Sequence, residues 1–222
     1  MIGRKNSSDI PKVVIERLPR YYRYFDRLEG QVEKISSKQL GELLGTSASQ
    51  VRLDLSYFGD FGRQGYGYNV KKLKEELAHI LNIHKQKNII IIGAGNIGRA
   101  LTRFNAIKDA GFNLKALFDV NPIFIGEKIK GVKIHHFKDI GSYLAKNEIH
   151  IAILAVPKQE ANDVAKALIK HGVKGILNFS RTDLEVPKGY PIKNVHIIDT
   201  ILALSFDVNT HNANTRNVNA QE

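Results

Sequence analysis

Residues 89–101 read IIIIGAGNIGRAL, in which four isoleucines run into Gly93-x-Gly95-x-x-Gly98 and a helix-forming stretch follows. Such an apolar run reads as a strand buried on both faces, and the glycine spacing imposes a tight turn between strand and helix. In a turn of this kind the first glycine permits the bend, the second lets a pyrophosphate approach the backbone, and the third allows close packing of helix on strand. Phosphates then face unpaired N–H groups at the helix N-terminus. Asp119 lies 21 residues beyond Gly98, at the end of the run LKALFDV, where a carboxylate can accept hydrogen bonds from ribose hydroxyls. Val120 and Asn121 bring no positive charge for a 2′-phosphate, which favours NAD over NADP. Without the strand, the helix and the acid, the same glycines would only shape a turn. With them, Gly93, Ala94, Gly95, Asn96, Ile97, Gly98, Asp119, Val120 and Asn121 form a candidate dinucleotide site.

The surrounding sequence supplies the rest of such a domain. The runs NIIIIGA, LKALFDV, KIHHF, IHIAILAVP, KGILNF and NVHIID read as strands, with helices such as 99–108 and 159–171 between them. Near-continuous apolar strands alternating with helices imply a parallel sheet covered on both faces. The strand IAILAVP should bring Ala155, Val156 and Pro157 to the carboxyl edge, where ligands lie in such sheets, and ILNFS should bring Asn178 and Phe179 there. Both segments read equally well as plain core strands. From Asp207 the sequence DVNTHNANTRNVNAQE is asparagine-rich with little to bury, and is expected to be a disordered tail.

The first part of the chain has a different character. Residues 9–29 carry Val14, Leu18, Tyr21, Tyr22, Phe25 and Leu28 at three- and four-residue spacing, an amphipathic helix that begins near Asp9 and Pro11. Pro19 removes a backbone donor inside it and predicts a kink or two abutting helices. The segment ISSKQLGELLGTSASQVRLDLSYFGDFG divides into two short helices around GTSAS, with Ser37 and Ser47 placed as caps. Residues 59–69, GDFGRQGYGYN, suit a hairpin or wing, residues 70–81 a further helix, and NIHKQKN a linker. In a helix-turn-helix the second helix lies in the major groove. Here that helix, residues 48–57, offers Ser49, Gln50, Arg52 and Tyr57, of which Gln50 and Arg52 suit base edges. Ser47 and Lys38 are placed for phosphates. Arg63, with Gln64 beside it in the wing, suits an A·T-rich minor groove. Val51, Leu55 and Phe58 should face the core, and an arginine alone on a helix is ordinarily a solvated charge.

Composition narrows the function. Net charge is +11, with 16 basic against 10 acidic residues up to residue 87 and 17 against 12 after it. The excess favours a polyanionic partner, although a lysine-rich solvated surface gives the same count. Absent cysteine excludes disulfides, thiolate metal sites and thiol redox chemistry, and no metal-ligand spacing appears. No apolar run reaches the roughly 20 residues that span a bilayer, and MIGRKNSSDIPK lacks the apolar core of a signal peptide, so neither membrane insertion nor export is expected. A dehydrogenase needs a substrate region and a proton-exchanging group. The nucleotide-binding part, residues 88–205, holds about one sheet's worth of sequence. His84, His135, His136 and His211 read as structural or solvated, which leaves His196 near the last strand as the histidine to follow.

Taken in order, QVRLDLSYFGDFGRQGYGY, IIGAGNIGRAL, FDVNP, AVP and GILNF closely resemble the redox-sensing transcriptional repressors of the Rex family, over essentially the whole chain except the tail. The resemblance implies an α/β chain: an N-terminal winged helix-turn-helix domain over 1–84, then a Rossmann domain over 85–206 whose last helix is swapped onto a partner subunit. It implies a cytoplasmic homodimer, not an enzyme, that binds palindromic, A·T-flanked operator DNA when NADH is scarce and releases it when NADH binds. TILALSF, residues 200–206, would be the swapped helix, wedged between the partner's two domains, with Phe206 among the coupling residues. Arg23 matches a family arginine that couples the two domains. Three positions depart from the pattern. Leu53 stands where lysine is common after the recognition arginine, Phe104 where some members have a tyrosine near the nicotinamide, and His196 where an acid is usual, with Asp199 three residues on as a substitute. Two other readings fit parts of the chain: a small NAD-dependent oxidoreductase, and a nucleotide-gated scaffold that binds a protein through the N-terminal helices.

Overall fold

In the computed structural model, which describes residues 10–58, 62–63 and 67–219, the chain forms two units that divide between Lys85 and Gln86. The first unit opens with α1 (Lys12–Leu28), which buries Val14, Leu18, Tyr21 and Phe25 along one face. It is a single helix with Pro19 inside it, not two. Buried side chains on both sides of the proline enter the same core, so packing outweighs the lost donor. Then come β1 (Lys34–Ile35), α2 (Ser37–Leu44), α3 (Ala48–Ser56), β2 (Gly62–Arg63), β3 (Gly67–Asn69) and α4 (Val70–Ile80). The cap of α2 is Ser36, not Ser37: Ser36 Oγ accepts from Gln39 N at 3.1 Å while Gln39 Oε1 accepts from Ser36 N at 2.9 Å. Ser37 already lies inside the helix and cannot do this. Ser47 caps α3, accepting from Gln50 N at 3.1 Å. The strands form a small antiparallel sheet in the order β1-β3-β2, the winged-helix arrangement. Lys74 on α4 bridges to Asp26 at 2.7 Å and Glu29 at 2.5 Å, tying α4 to α1.

The second unit runs β4 (Lys87–Ile92), α5 (Asn96–Arg103), α6 (Ala106–Asp109), β5 (Phe112–Asp119), β6 (Lys128–Ile129), β7 (Val132–His136), α7 (Ile140–Lys146), β8 (Ile151–Leu154), α8 (Lys158–Lys170), β9 (Gly175–Asn178), β10 (Ile192–Asn194) and α9 (Ile197–Asn219). The sheet order is β10-β9-β8-β4-β5-β7-β6, parallel except for β6 on β7. This is the doubly wound Rossmann order with a short antiparallel edge strand. The isoleucine run is explained by its two faces, since Ile90 and Ile92 enter one core while Ile89 and Ile91 enter the other.

Three sequence expectations change here. The helix expected over 99–108 is two, α5 and α6, with extended backbone at Phe104 between them. The strand expected in NVHIID lies earlier, as β10, and Ile197 already opens α9. The segment from Asp207 is helical through Asn219 rather than an unstructured tail, because it prolongs a helix already nucleated upstream.

Candidate functional site

A cleft of about 1090 Å³ lies across the carboxyl ends of β4, β5 and β8, where the strand order reverses. Gly93, at the end of β4, has φ +100, and a Cβ there would stand 2.3 Å from the Ala155 carbonyl oxygen, so only glycine makes this turn. Gly98 packs α5 on the sheet, where a Cβ would fall 1.9 Å from the Gly93 carbonyl oxygen. Gly95 is different: a Cβ there would meet no protein atom within 4 Å, and the residue lines the cleft. The protein itself does not need that space, and a group resting on the turn would. No side chain caps α5, whose first turn includes the cleft residues Asn96 and Ile97. The turn is braced from behind by Arg99, which donates Nε to the Ala94 carbonyl at 2.8 Å and Nη2 to Glu127 at 2.7 Å, and lies over the Phe124 ring.

Asp119 stands at the end of β5 on the cleft wall, where Oδ2 accepts from Ala94 N at 2.6 Å and Oδ1 from Asn121 N at 2.8 Å. Each carboxylate oxygen retains a second lone pair for a ligand hydroxyl. Val120, Asn121, Ala155, Val156, Pro157 and Phe179 complete the wall. Ser180, Arg181, Lys158 and Gln159, which the sequence reading missed, lie there too. The general rule that residues just past each strand end line the cleft would have found them.

Several expected contacts fall elsewhere. Ala94 and Gly98 are buried and shape the turn from inside. Asn178 is fully buried, its Nδ2 donating to the Thr182 carbonyl and Asn194 Oδ1 while Oδ1 accepts from Ser180 N and Oγ, so it organises the loop after β9. Phe104 is 62% exposed at the far end of α5, outside the cleft. His196 sits 3.5 Å from Asp183, while Asp199 is exposed in the first turn of α9.

In the N-terminal unit, α3 turns Val51, Asp54 and Leu55 inward, and Phe58 just beyond it is buried as well. Ser49, Arg52, Leu53 and Ser56, at helical spacing, face solvent. Arg52 donates to Ser37 Oγ and Ser49 Oγ, each at 3.0 Å, which spreads its guanidinium across α2 and α3. Lys38 and Ser47 are exposed as well, and so is Arg23 on α1. Tyr57 is half-buried against the core rather than projecting freely. Arg63 lies in β2, and Gln64 lies outside the described residues.

Gln50 is not a free side chain either. Its Nε2 donates to Asp54 Oδ1 at 2.8 Å. Asp54 is fully buried, and Arg17 reaches it bidentately at 2.6 and 2.7 Å, with the Tyr21 hydroxyl at 3.0 Å. Burial, and then the Asp54 charge, push the Tyr21 hydroxyl well above its ordinary value, so it stays a donor. The Asp54 hydrogen bond raises Arg17 in turn. Among the described residues no cluster of side chains could hold a metal, and no helix is long and apolar enough to cross a membrane.

Comparison with known proteins decides between the readings. The redox-sensing transcriptional repressor Rex of Clostridium botulinum is 48% identical over 90% of this chain and 96% of its own. The chain belongs to the Rex family. The Rex of Clostridium novyi is likewise 48% identical, over 92% of this chain and 98% of its own. RSP, a Rex-family repressor solved in complex with beta-NAD+ and operator DNA, is 42% identical, with a TM-score of 0.86 over 93% of this chain and 96% of that one. RSP in complex with beta-NADH is 40% identical, with a TM-score of 0.85 over 94% and 98%. Two family models also match, "CoA binding domain" over residues 84–182 and "Putative DNA-binding protein N-terminus" over residues 9–56. The relatives of this family are transcriptional repressors that sense redox state, which favours the regulatory reading of the chain over the oxidoreductase one.

Proposed function

We propose that this chain acts in the cytoplasm as a homodimer that binds a palindromic, A·T-flanked operator when NADH is scarce and leaves it when NADH binds. One observation carries the reading. The same chain holds a glycine turn with unused space above Gly95 and a helix whose outward face is Ser49, Arg52, Leu53 and Ser56. RSP, which shares both units, has been solved with operator DNA and with each form of the dinucleotide.

Residues 95–97 receive the pyrophosphate on the amides of the turn that Gly93, Ala94 and Gly98 shape, and Asp119 accepts from the ribose hydroxyls. Val120 and Asn121 flank the ribose, and Ala155, Val156, Pro157 and Phe179 supply the wall toward the nicotinamide. Reduction removes the positive charge of that ring. An apolar wall disfavours the charged pyridinium and so favours NADH. The switch requires only that NADH prefer one arrangement of the dimer over the one that fits DNA. The helix α9 supplies the dimer contact, since Ile197, Ile198, Ile201, Leu202, Leu204, Phe206 and Val208 are each at least half exposed, an apolar surface that a partner subunit would cover. Arg23, His196, Asp199 and Phe206 are assigned to coupling between the units. On α2 and α3, Lys38 and Ser47 take phosphates while Gln50 and Arg52 read bases, and Arg63 enters the minor groove.

Fluorescence anisotropy on a pool of A·T-flanked palindromic duplexes, at physiological salt, tests the reading. Tight binding without nucleotide, kept with NAD+ and lost with NADH, is expected. Arg52→Ala should weaken specific binding by about 1–3 kcal/mol per contacted base pair and leave NADH affinity unchanged. No specific duplex binding by the wild-type dimer, with or without nucleotide, would refute it.

A further inference from the structure

Asp54 lies on the inner face of α3, is inaccessible to solvent, and has four donors around it: Arg17 Nε and Nη2, the Tyr21 hydroxyl and Gln50 Nε2. An ionised carboxylate only accepts, and offers about four lone-pair positions. All four are taken here, one of them by an amide at the edge of the DNA-facing helix. A carboxylate repels an amide oxygen, so the flip of the Gln50 amide is fixed with nitrogen toward Asp54.

That fixes what Gln50 can say to a base. A free glutamine amide carries two N–H donors and one acceptor, and it can turn both donors toward guanine, whose N7 and O6 both accept. With one N–H held by Asp54, a single N–H and the carbonyl oxygen remain. This donor and acceptor pair matches adenine, which offers N7 as acceptor and N6 as donor, and leaves an acceptor facing an acceptor at guanine. Arg52 has no such constraint, because its partners are two serine hydroxyls, on half-buried Ser37 and exposed Ser49, that can rotate away.

Resting on the DNA-binding reading above, we infer that Asp54 is a specificity-positioning residue: by holding the Gln50 amide it makes the recognition helix select adenine over guanine at one base pair of each half-site. Arg17 and Tyr21 keep Asp54 in place, so α1 contributes to base choice without touching DNA.

The test is enrichment from a library of palindromic duplexes randomised in both half-sites, without nucleotide, using the full-length wild type, Gln50→Ala and Asp54→Asn. The wild type should show one position per half-site where adenine is favoured over guanine by about tenfold. Gln50→Ala should lose that preference. An asparagine amide can accept or donate, so Asp54→Asn should relax the same position to within about twofold while the other positions keep theirs. A uniform fall in enrichment with the adenine preference intact would overturn the proposal and make Asp54 a purely structural residue. No enriched sequence for the wild type would instead overturn the DNA-binding reading, and this proposal with it. If Asp54→Asn does not fold, the wild-type side-chain amide decides by NMR. Two Gln50 protons, identified by their loss in Gln50→Ala, should differ in exchange rate, one of them protected. Two fast, equivalent protons would overturn the lock.

Discussion

Gly95 and Gly98 stand three residues apart and exclude side chains for opposite reasons. At Gly98 the obstacle is the protein, with a Cβ 1.9 Å from the Gly93 carbonyl oxygen, so Gly98→Ala should lower stability by about 1–3 kcal/mol, a fall in Tm of several degrees. At Gly95 nothing of the protein lies within 4 Å and φ is −73, so Gly95→Ala should melt like the wild type, yet weaken NADH binding about tenfold or more in a fluorescence titration. Equal losses of stability at both positions would show that the space above Gly95 is not reserved for a ligand. Leu53 makes a second contrast, a leucine 53% exposed beside Arg52 on the outward face of α3. Leu53→Lys should strengthen DNA binding and steepen its salt dependence by about 0.9 in log–log slope per added phosphate contact. An unchanged slope would place residue 53 away from the backbone. The glycine turn was legible because its demands are local. Asn178 was not, because the last residue of a strand looks the same in sequence whether it turns toward a ligand or into a loop. Asp54 was hidden for another reason: its partner Arg17 lies 37 positions away, and until α1 packs on α3 a charge among apolar residues reads as a solvated one.

At the level of elements, periodicity marks the long, strongly patterned pieces and misses those whose cause is tertiary. The strand β6 has two residues and exists only as the antiparallel edge of β7, so no local signal marks it. Pro19 is expected to kink α1 or divide it into two abutting helices, but a continuous buried face holds it as one helix. Most instructive is α9. Its polar second half composes a tail, and its first half carries seven large apolar residues that are all half exposed or more. A helix apolar on nearly every side is at home only when buried. Each of those side chains would bring roughly 1.5–3 kcal/mol if fully covered. Replacing Ile198 and Leu202, one turn apart, with glutamate should therefore convert the dimer to monomer in sedimentation velocity while the Rossmann unit keeps its NADH site. Retention of the dimer would mean that α9 is not the contact surface.

The whole molecule has to make a dinucleotide held by one unit matter to a helix of the other, and thermodynamics restricts how. If NADH lowers operator affinity by some factor, operator must lower NADH affinity by the same factor, because both ligands draw on one conformational equilibrium. A tenfold effect in one direction corresponds to about 1.4 kcal/mol and demands the same in the other. Charge adds a further constraint. The excess of basic residues is shared between the two halves, 16 against 10 up to residue 87 and 17 against 12 beyond it. NADH rearranges this charge without removing it. Weak, sequence-independent DNA binding should thus survive saturation with NADH and fade with added salt, whereas operator-specific binding should be lost at every salt concentration. Two titrations read the coupling: operator affinity with and without saturating NADH, and NADH affinity with and without saturating operator, in one buffer. The two ratios should agree. A mismatch between the ratios would show that the two titrations sample different oligomeric states, with release drawing on dissociation into monomers, visible as an operator affinity that recovers when protein concentration is raised.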